Sequence, residues 1–268
     1  MILDERPSDS FKIFLKRCSD IPDIDVNIVM NNCIKSMNYY KANKILRGKL
    51  KDKQYLETKW YMALKNGEQD YSIYGGDDYL GDIWACWVIY SRSYLRAINN
   101  IKSLGNHSVV QDMGNISLVA DLGCGFGYTT AGLKQLFPMA RVVGTNLPNT
   151  KQVIFAEKLS KKYRFEITYD LKKIGNTDLV FASEYFEHFY EPIKHLQEVL
   201  KYLNPEFLLI ANAFGADSIG HFPQYKVNNE LVSNKDIGRQ FNQILKDSGY
   251  KKTKTKLWNN RPNYWKKI

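Results

Sequence analysis

The 268-residue chain is short of cysteine, histidine and long apolar runs, and each shortage closes off a class of protein. Its four cysteines, Cys18, Cys33, Cys86 and Cys124, stand far apart, form no CxxC pair and have no histidine at zinc-ligand spacing. A disulfide framework and a structural metal are therefore not expected, and a reducing, cytoplasmic setting fits this usage. No stretch approaches the roughly 18 uninterrupted apolar residues of a membrane-spanning helix. The start, Met1-Ile-Leu-Asp-Glu-Arg-Pro7, lacks the basic end and apolar run of a secretory signal. A soluble protein with no membrane partner is expected, and no internal repeat or low-complexity tract interrupts it.

What is abundant is basic charge. Lys and Arg number 38 against 28 Asp and Glu, for a net charge of +10 and a pI near 9.2. Such an excess favours anionic partners, nucleic acid among them. The lysines are scattered, however, and the densest run, Lys251 to Lys256, falls on an expected edge strand, where charge resists edge-to-edge pairing.

The hydrophobic pattern divides the chain at about residue 110. From Asp25 to Asn99 apolar residues keep helical spacing: Val26, Val29, Met30, Cys33, Met37 and Tyr40; then Leu56, Trp60, Ala63 and Leu64; then Leu80, Ile83, Trp84, Trp87, Tyr94, Leu95 and Ile98. Residues 1–110 are read as a helical cap or substrate region. Within it, Tyr71-Ser-Ile-Tyr-Gly-Gly-Asp-Asp-Tyr-Leu80 is a turn signal studded with aromatics, expected as a surface loop.

From Ser117 short apolar runs alternate with helical stretches, the pattern of βαβ units. Strands are expected at Leu118 to Leu122, Arg141 to Thr145, Phe165 to Tyr169, Asp178 to Ala182 and Phe207 to Asn212. Tyr250 to Trp258 and Asn263 to Ile268 are expected to form a closing hairpin. Pro192 marks a helix start, Ser233 with Asp236 a capping box, and Gly249 a helix stop. The expected fold is α/β, a doubly wound, mostly parallel seven-stranded sheet with a C-terminal antiparallel hairpin. It occupies residues 111–268, after the helical region.

The chemistry is concentrated in Val119-Ala-Asp-Leu-Gly-Cys-Gly-Phe-Gly127, a buried strand ending in an acid and followed by three glycines before a helix. Gly123 and Gly125 let the backbone turn sharply and approach a ligand where a Cβ would collide. Amides at the following helix N-terminus favour an electron-rich group. A dinucleotide dehydrogenase would show G-x-G-x-x-G and an acid ending the second strand. Here the acid, Asp121, ends the first strand, and Asn146 ends the second.

Residues 117 to about 257 resemble the class I S-adenosylmethionine-dependent methyltransferase family. Besides the glycine segment, the resemblance rests on Arg141-Val-Val-Gly-Thr-Asn-Leu-Pro148, on Phe165-Glu-Ile-Thr-Tyr-Asp170, and on Asp178-Leu-Val-Phe-Ala-Ser-Glu-Tyr-Phe-Glu-His188 followed by Glu191-Pro and Leu203-Asn-Pro205. It implies S-adenosylmethionine as cofactor, held by Asp121, Gly123, Cys124, Gly125 and Gly127. Asn146 and Leu147 would lie at the ribose and Asp170 and Leu171 at the adenine, with Glu184 and a lid tyrosine, Tyr74, completing the site. Asn146 departs from the acid usual there and lacks the charge that strengthens a bond to a hydroxyl. The segment after the fourth strand offers Glu184, Tyr185, Glu187 and His188, and the loop after the fifth offers His221. Glu184, Glu187, His188 and His221 are the candidates for proton transfer to or from an acceptor.

The leading expectation is methyl transfer to an O, N or C atom of a small or medium-sized substrate. One alternative is a nucleic-acid methyltransferase, RNA or DNA, that uses the basic excess. The other is a non-catalytic cofactor-binding partner subunit, consistent with the departure at Asn146. The sequence leaves oligomeric state open.

Overall fold

The computed structural model describes residues 15–16, 18–20, 23–46, 55–83, 109–253 and 262–268. Two compact units emerge, one of Met1–Tyr94 with Asn149–Gln152 and one of Leu95–Pro148 with Val153–Ile268.

The first unit is helical, with α1 at Val26–Leu46, α2 at Tyr55–Lys65 and a further helical segment at 77–83. Asp25 caps α1 by accepting from the amides of Asn27 and Ile28 at 2.9 and 3.2 Å. Val29, Cys33 and Ser36 are buried along α1, and Ser36 donates to the buried Asp82 at 2.6 Å. Gly81 makes this packing possible: a Cβ there would meet the carbonyl oxygen of Val29 at 2.5 Å. Lys151 pairs with Asp77 and donates to the Asp23 carbonyl at 2.7 Å.

The expected aromatic surface loop is corrected here. Tyr71–Gly75 is a 3-10 turn in which Ile73 and Tyr74 are buried, as is Tyr79 beyond it. Tyr74 meets Tyr79 edge-on, centroids 4.8 Å apart, while Trp60 lies 5.6 Å from Tyr71. Aromatic rings of this area gain more by mutual packing than by facing water. Trp84, Trp87, Tyr94, Leu95 and Ile98 lie outside the described residues, as does Cys86; Cys18, Cys33 and Cys124 are buried.

The second unit holds β1 (Leu118–Leu122), β2 (Arg141–Thr145), β3 (Glu166–Thr168), β4 (Leu179–Ser183), β5 (Phe207–Ala211), β6 (Gln224–Val227), β7 (Glu230–Ser233), β8 (Tyr250–Thr253) and β9 (Asn263–Lys267). Its helices are α3 (Val109–Met113), α4 (Tyr128–Leu136), α5 (Lys151–Tyr163, from Val153 onward), α6 (Pro192–Leu203) and α7 (Asn234–Asp247). Seven strands form one sheet in the order β3-β2-β1-β4-β5-β9-β8. All pairings up to β5 are parallel, and β9 joins β5 and β8 antiparallel. This is the doubly wound sheet with a terminal hairpin. β8 stands at its edge, where Lys251 and Lys252 supply the charge expected there; residues 254–261 are outside the description.

Central strands read as apolar runs, broken in β1 by Asp121 alone, because both faces are covered: every residue of β5 is buried, as are the last four of β1 and the first four of β4. Asp178 precedes β4 instead of opening it. Its carboxylate accepts from the amides of Ser117 and Leu118 at 2.6 and 2.9 Å, fixing β1 against β4. Pro192 opens α6, whose Ile193, Leu196, Val199 and Leu203 are buried. Ser233 caps α7, its hydroxyl accepting from the Asp236 amide at 3.2 Å, and Gly249 follows the helix at φ 86°.

The β6–β7 hairpin was not foreseen. It is a separate two-stranded sheet inserted before α7. Its turn, Asn228-Asn229, takes φ of 49° and 69°, the two positive values of a type I′ hairpin, which asparagine tolerates. The strands are only four residues long, and Leu231 is 58% exposed, so no alternating apolar face betrays them.

Candidate functional site

Strand order reverses at β1: the chain runs outward to β2 and β3, then returns to β4 on the other side. The carboxyl ends of β1 and β4 thus border the crevice where open α/β sheets bind ligands. Gly123, Gly125 and Gly127 stand there with φ of 71°, 52° and 83°, left-handed values costly for any other residue. The loop is tied to β2 through Cys124 N to Thr145 O at 2.8 Å and Gly123 N to Thr145 Oγ1 at 2.9 Å. Gly127 caps α4, turning the free amides of that helix toward the loop.

Asp121 is 1% exposed and accepts from Thr129 and Thr130 of α4 at 2.5 and 2.6 Å. Burial lifts its carboxyl to about 6, the two hydroxyls opposing the rise. Cys124 is buried with its sulfur turned to β2, since a Cβ on Gly144 would come within 2.8 Å of it. It faces the sheet, and burial pushes its thiol well up.

Asn146 serves the loop. Its Nδ2 donates to the Gly125 carbonyl at 2.7 Å, and its Oδ1 accepts from the Leu147 amide at 2.9 Å. Leu147 is 47% exposed. Asp170 follows β3 and caps a 3-10 turn at Leu171–Lys173, accepting from the Lys172 amide at 3.0 Å. Tyr74 belongs to the first unit.

Beyond β4, Glu184 takes φ 51°, a left-handed value uncommon outside glycine. Tyr185 lays its ring over the loop: a Cβ on Gly123 would strike its Cδ2 at 2.6 Å. Its hydroxyl meets His195 Nε2 at 2.8 Å, and His195 stacks on Phe189 at 3.8 Å between centroids. His195, on α6, escaped sequence reasoning because its spacing is that of any helix residue. Glu187 is fully buried, accepting from the Ala213 amide at 2.6 Å, while Tyr225 donates to its backbone carbonyl at 3.1 Å. Burial first and Glu184 second raise the Glu187 carboxyl well above the usual range. His188 and His221 meet edge-on, centroids 4.8 Å apart. Burial, with His221 beside it, lowers His188 to about 3, and burial lowers His221 as well. One ligand atom from each of Glu184, Glu187 and His221 lies within 4.8 Å of the others. Three of the four proton-transfer candidates are therefore gathered from two strand ends, with His188 beside His221.

Among the described residues four buried side-chain polar atoms have no partner, and three of them, Ser183 Oγ, Glu187 Oε2 and Asn212 Oδ1, lie just at or beyond the ends of β4 and β5. Buried polar atoms are nearly always paired, so this concentration marks a place built for something else.

A left-handed glycine loop over a buried acid, set at the reversal point of this strand order, defines a domain of the class I S-adenosylmethionine-dependent methyltransferase fold. Residues 120–211 match the family described as "Methyltransferase domain". Solved structures agree on the fold. An O-methyltransferase family protein from Burkholderia thailandensis is 15% identical with a TM-score of 0.54, covering 80% of this chain and 70% of that one. The S-adenosylmethionine-dependent methyltransferase SibL in its apo form is 14% identical with a TM-score of 0.50, covering 88% and 74%. The mitomycin 7-O-methyltransferase MmcR is 12% identical with a TM-score of 0.50, covering 79% and 66%. No curated protein matches the chain. Among the described residues no helix is long and apolar enough to cross a membrane.

Proposed function

We propose that the protein binds S-adenosylmethionine on the loop Gly123 to Gly127 and transfers its methyl group to a small or medium-sized acceptor. The observation that carries this reading is the set of three left-handed glycines after Asp121, the first of them packed beneath Tyr185 beyond the end of β4. The cofactor supplies the activated methyl, so the protein's work is to bind, align and exclude water. Leu147 offers exposed apolar surface to a flat base, and Asp170 keeps one carboxylate oxygen for its amino group. Asn146 Oδ1 retains a lone pair for a ribose hydroxyl. Basic charge makes nucleic acid the competing acceptor class.

The test is thermal unfolding with S-adenosylmethionine or S-adenosylhomocysteine, since a ligand that binds only the folded state raises the melting temperature. A rise at submillimolar ligand supports the reading, and no rise at millimolar ligand together with no heat of binding refutes it. A mass gain of one methyl in extracted small molecules but not in RNA or DNA identifies the acceptor class; the reverse reassigns it to nucleic acid.

A further inference from the structure

We propose that Glu184, Glu187 and His221 form a binding site for a divalent first-row transition ion beside the glycine loop. The inference rests on the methyltransferase reading only for its use, and its geometry stands alone. The three residues come from separate places: Glu184 from the turn after β4, Glu187 from the 3-10 turn Phe186–His188, and His221 from the loop beyond β5. Their nearest donor atoms lie within 4.8 Å of one another. Around one ion with bonds of about 2.0–2.2 Å, opposed donors are at most about 4.4 Å apart. Neighbouring donors sit closer, about 3.0–3.6 Å apart at octahedral or tetrahedral angles, so the side chains close on an ion by rotations that move a ligand atom on the order of an ångström.

Two further features point to a cation. Glu187 has no exposed surface, yet its Oε2 has no hydrogen-bond partner while its Oε1 is held by the Ala213 amide. A carboxylate oxygen buried in this way is costly unless a proton or a cation reaches it. His221 is prepared as a ligand: its Nδ1 lies 2.8 Å from the Ala216 carbonyl, which can only accept. The ring proton therefore sits on Nδ1 and the lone pair on Nε2. Such a bond to a carbonyl is how proteins orient metal-bound imidazoles and strengthen their basicity.

The donor set also selects the ion. One imidazole and two carboxylates suit Mn2+, Fe2+ or Zn2+ better than Mg2+, which prefers oxygen alone and holds its waters. Three protein ligands leave open positions. Tyr185, between the two glutamates in the chain, covers Gly123, and β1 and β4 pair in parallel, so the three ligands stand at the same end of the sheet as the loop assigned to the cofactor.

The experiment uses the full chain without a histidine tag, stripped with chelator and titrated with Mn2+, free ion being read by electron paramagnetic resonance. One Mn2+ per chain, displaced by Zn2+ and not by equimolar Mg2+, is expected. Glu187→Gln and Glu184→Gln should each weaken binding at least tenfold with unchanged circular dichroism. Absence of bound Mn2+ and Zn2+ at millimolar ion overturns the proposal, as does wild-type affinity in both folded variants. If Glu187→Gln fails to fold, Glu184→Gln decides. Cofactor stabilisation is measured on the same samples. Cofactor binding without metal binding overturns this inference alone, and metal binding without cofactor binding overturns the methyltransferase reading alone.

Discussion

Replacing Asn146 by aspartate distinguishes two roles for this position by the sign of its effect. If the residue acted chiefly on ribose, a carboxylate would make a charge-assisted bond and tighten cofactor binding. The structure opposes this, because Nδ2 donates to the Gly125 carbonyl at 2.7 Å. Aspartate keeps the acceptor for the Leu147 amide and loses that donor. It also brings a negative oxygen against a carbonyl oxygen at the same distance. One lost hydrogen bond costs about 1 kcal/mol, and the unmet carbonyl facing a charge adds about as much again. The cost falls on the loop that binds the cofactor, so Asn146→Asp should weaken S-adenosylmethionine binding by about 2 kcal/mol, roughly thirtyfold in Kd. Asn146→Ala loses both side-chain bonds but adds no charge, and water can replace the acceptor at half-exposed Leu147, so it should cost about half as much, roughly fivefold. Isothermal titration calorimetry on the three proteins measures both. Tighter or unchanged binding in Asn146→Asp, or a larger loss in Asn146→Ala, refutes the reasoning.

Two other perturbations test the same loop. Asp121 has a folded-state value of about 6 against an ordinary 3.8, so the folded chain holds the proton more tightly. The stability this provides is complete below about pH 4 and is lost as pH rises to about 6, leaving a buried charge above that range. Asp121→Asn should therefore raise the melting temperature at pH 8, by roughly 1–3 kcal/mol of stability, while abolishing stabilisation by cofactor. The gain should vanish toward pH 4, and a pH-independent difference would contradict the buried-charge account. Gly123→Ala should lose about 1–2 kcal/mol from its φ of 71° alone and more from the clash with Tyr185. Adding Tyr185→Ala should recover only the second part in denaturant unfolding, and full recovery would show that the backbone is unstrained.

What the sequence determined by itself was whatever depends on local order. Strands β1, β2, β4 and β5 announced themselves because a strand covered on both faces must be largely apolar. The glycine loop was legible because only glycine takes three left-handed positions so close together without strain. Ser233, Pro192 and Gly249 marked helix ends by side-chain chemistry that acts within a few residues. The second hairpin left a fainter trace, Asn228-Asn229, with no apolar face to support it. Tertiary structure alone decided matters of distance between segments. Nothing in the chain says that Gly125 would place its carbonyl 2.7 Å from the Asn146 amide, which gives that side chain a task within the loop besides the ribose role the resemblance implies. Tyr74 lies inside a packed aromatic cluster because its partners are Tyr71 and Tyr79, rings that a turn signal assigns to water. Glu184 and Glu187 could be read as acids near a strand end. That His221, from the loop of another strand, joins them while Glu187 Oε2 stays buried without a partner follows only from β4 pairing with β5 in parallel register, which carries both loops to the same end of the sheet.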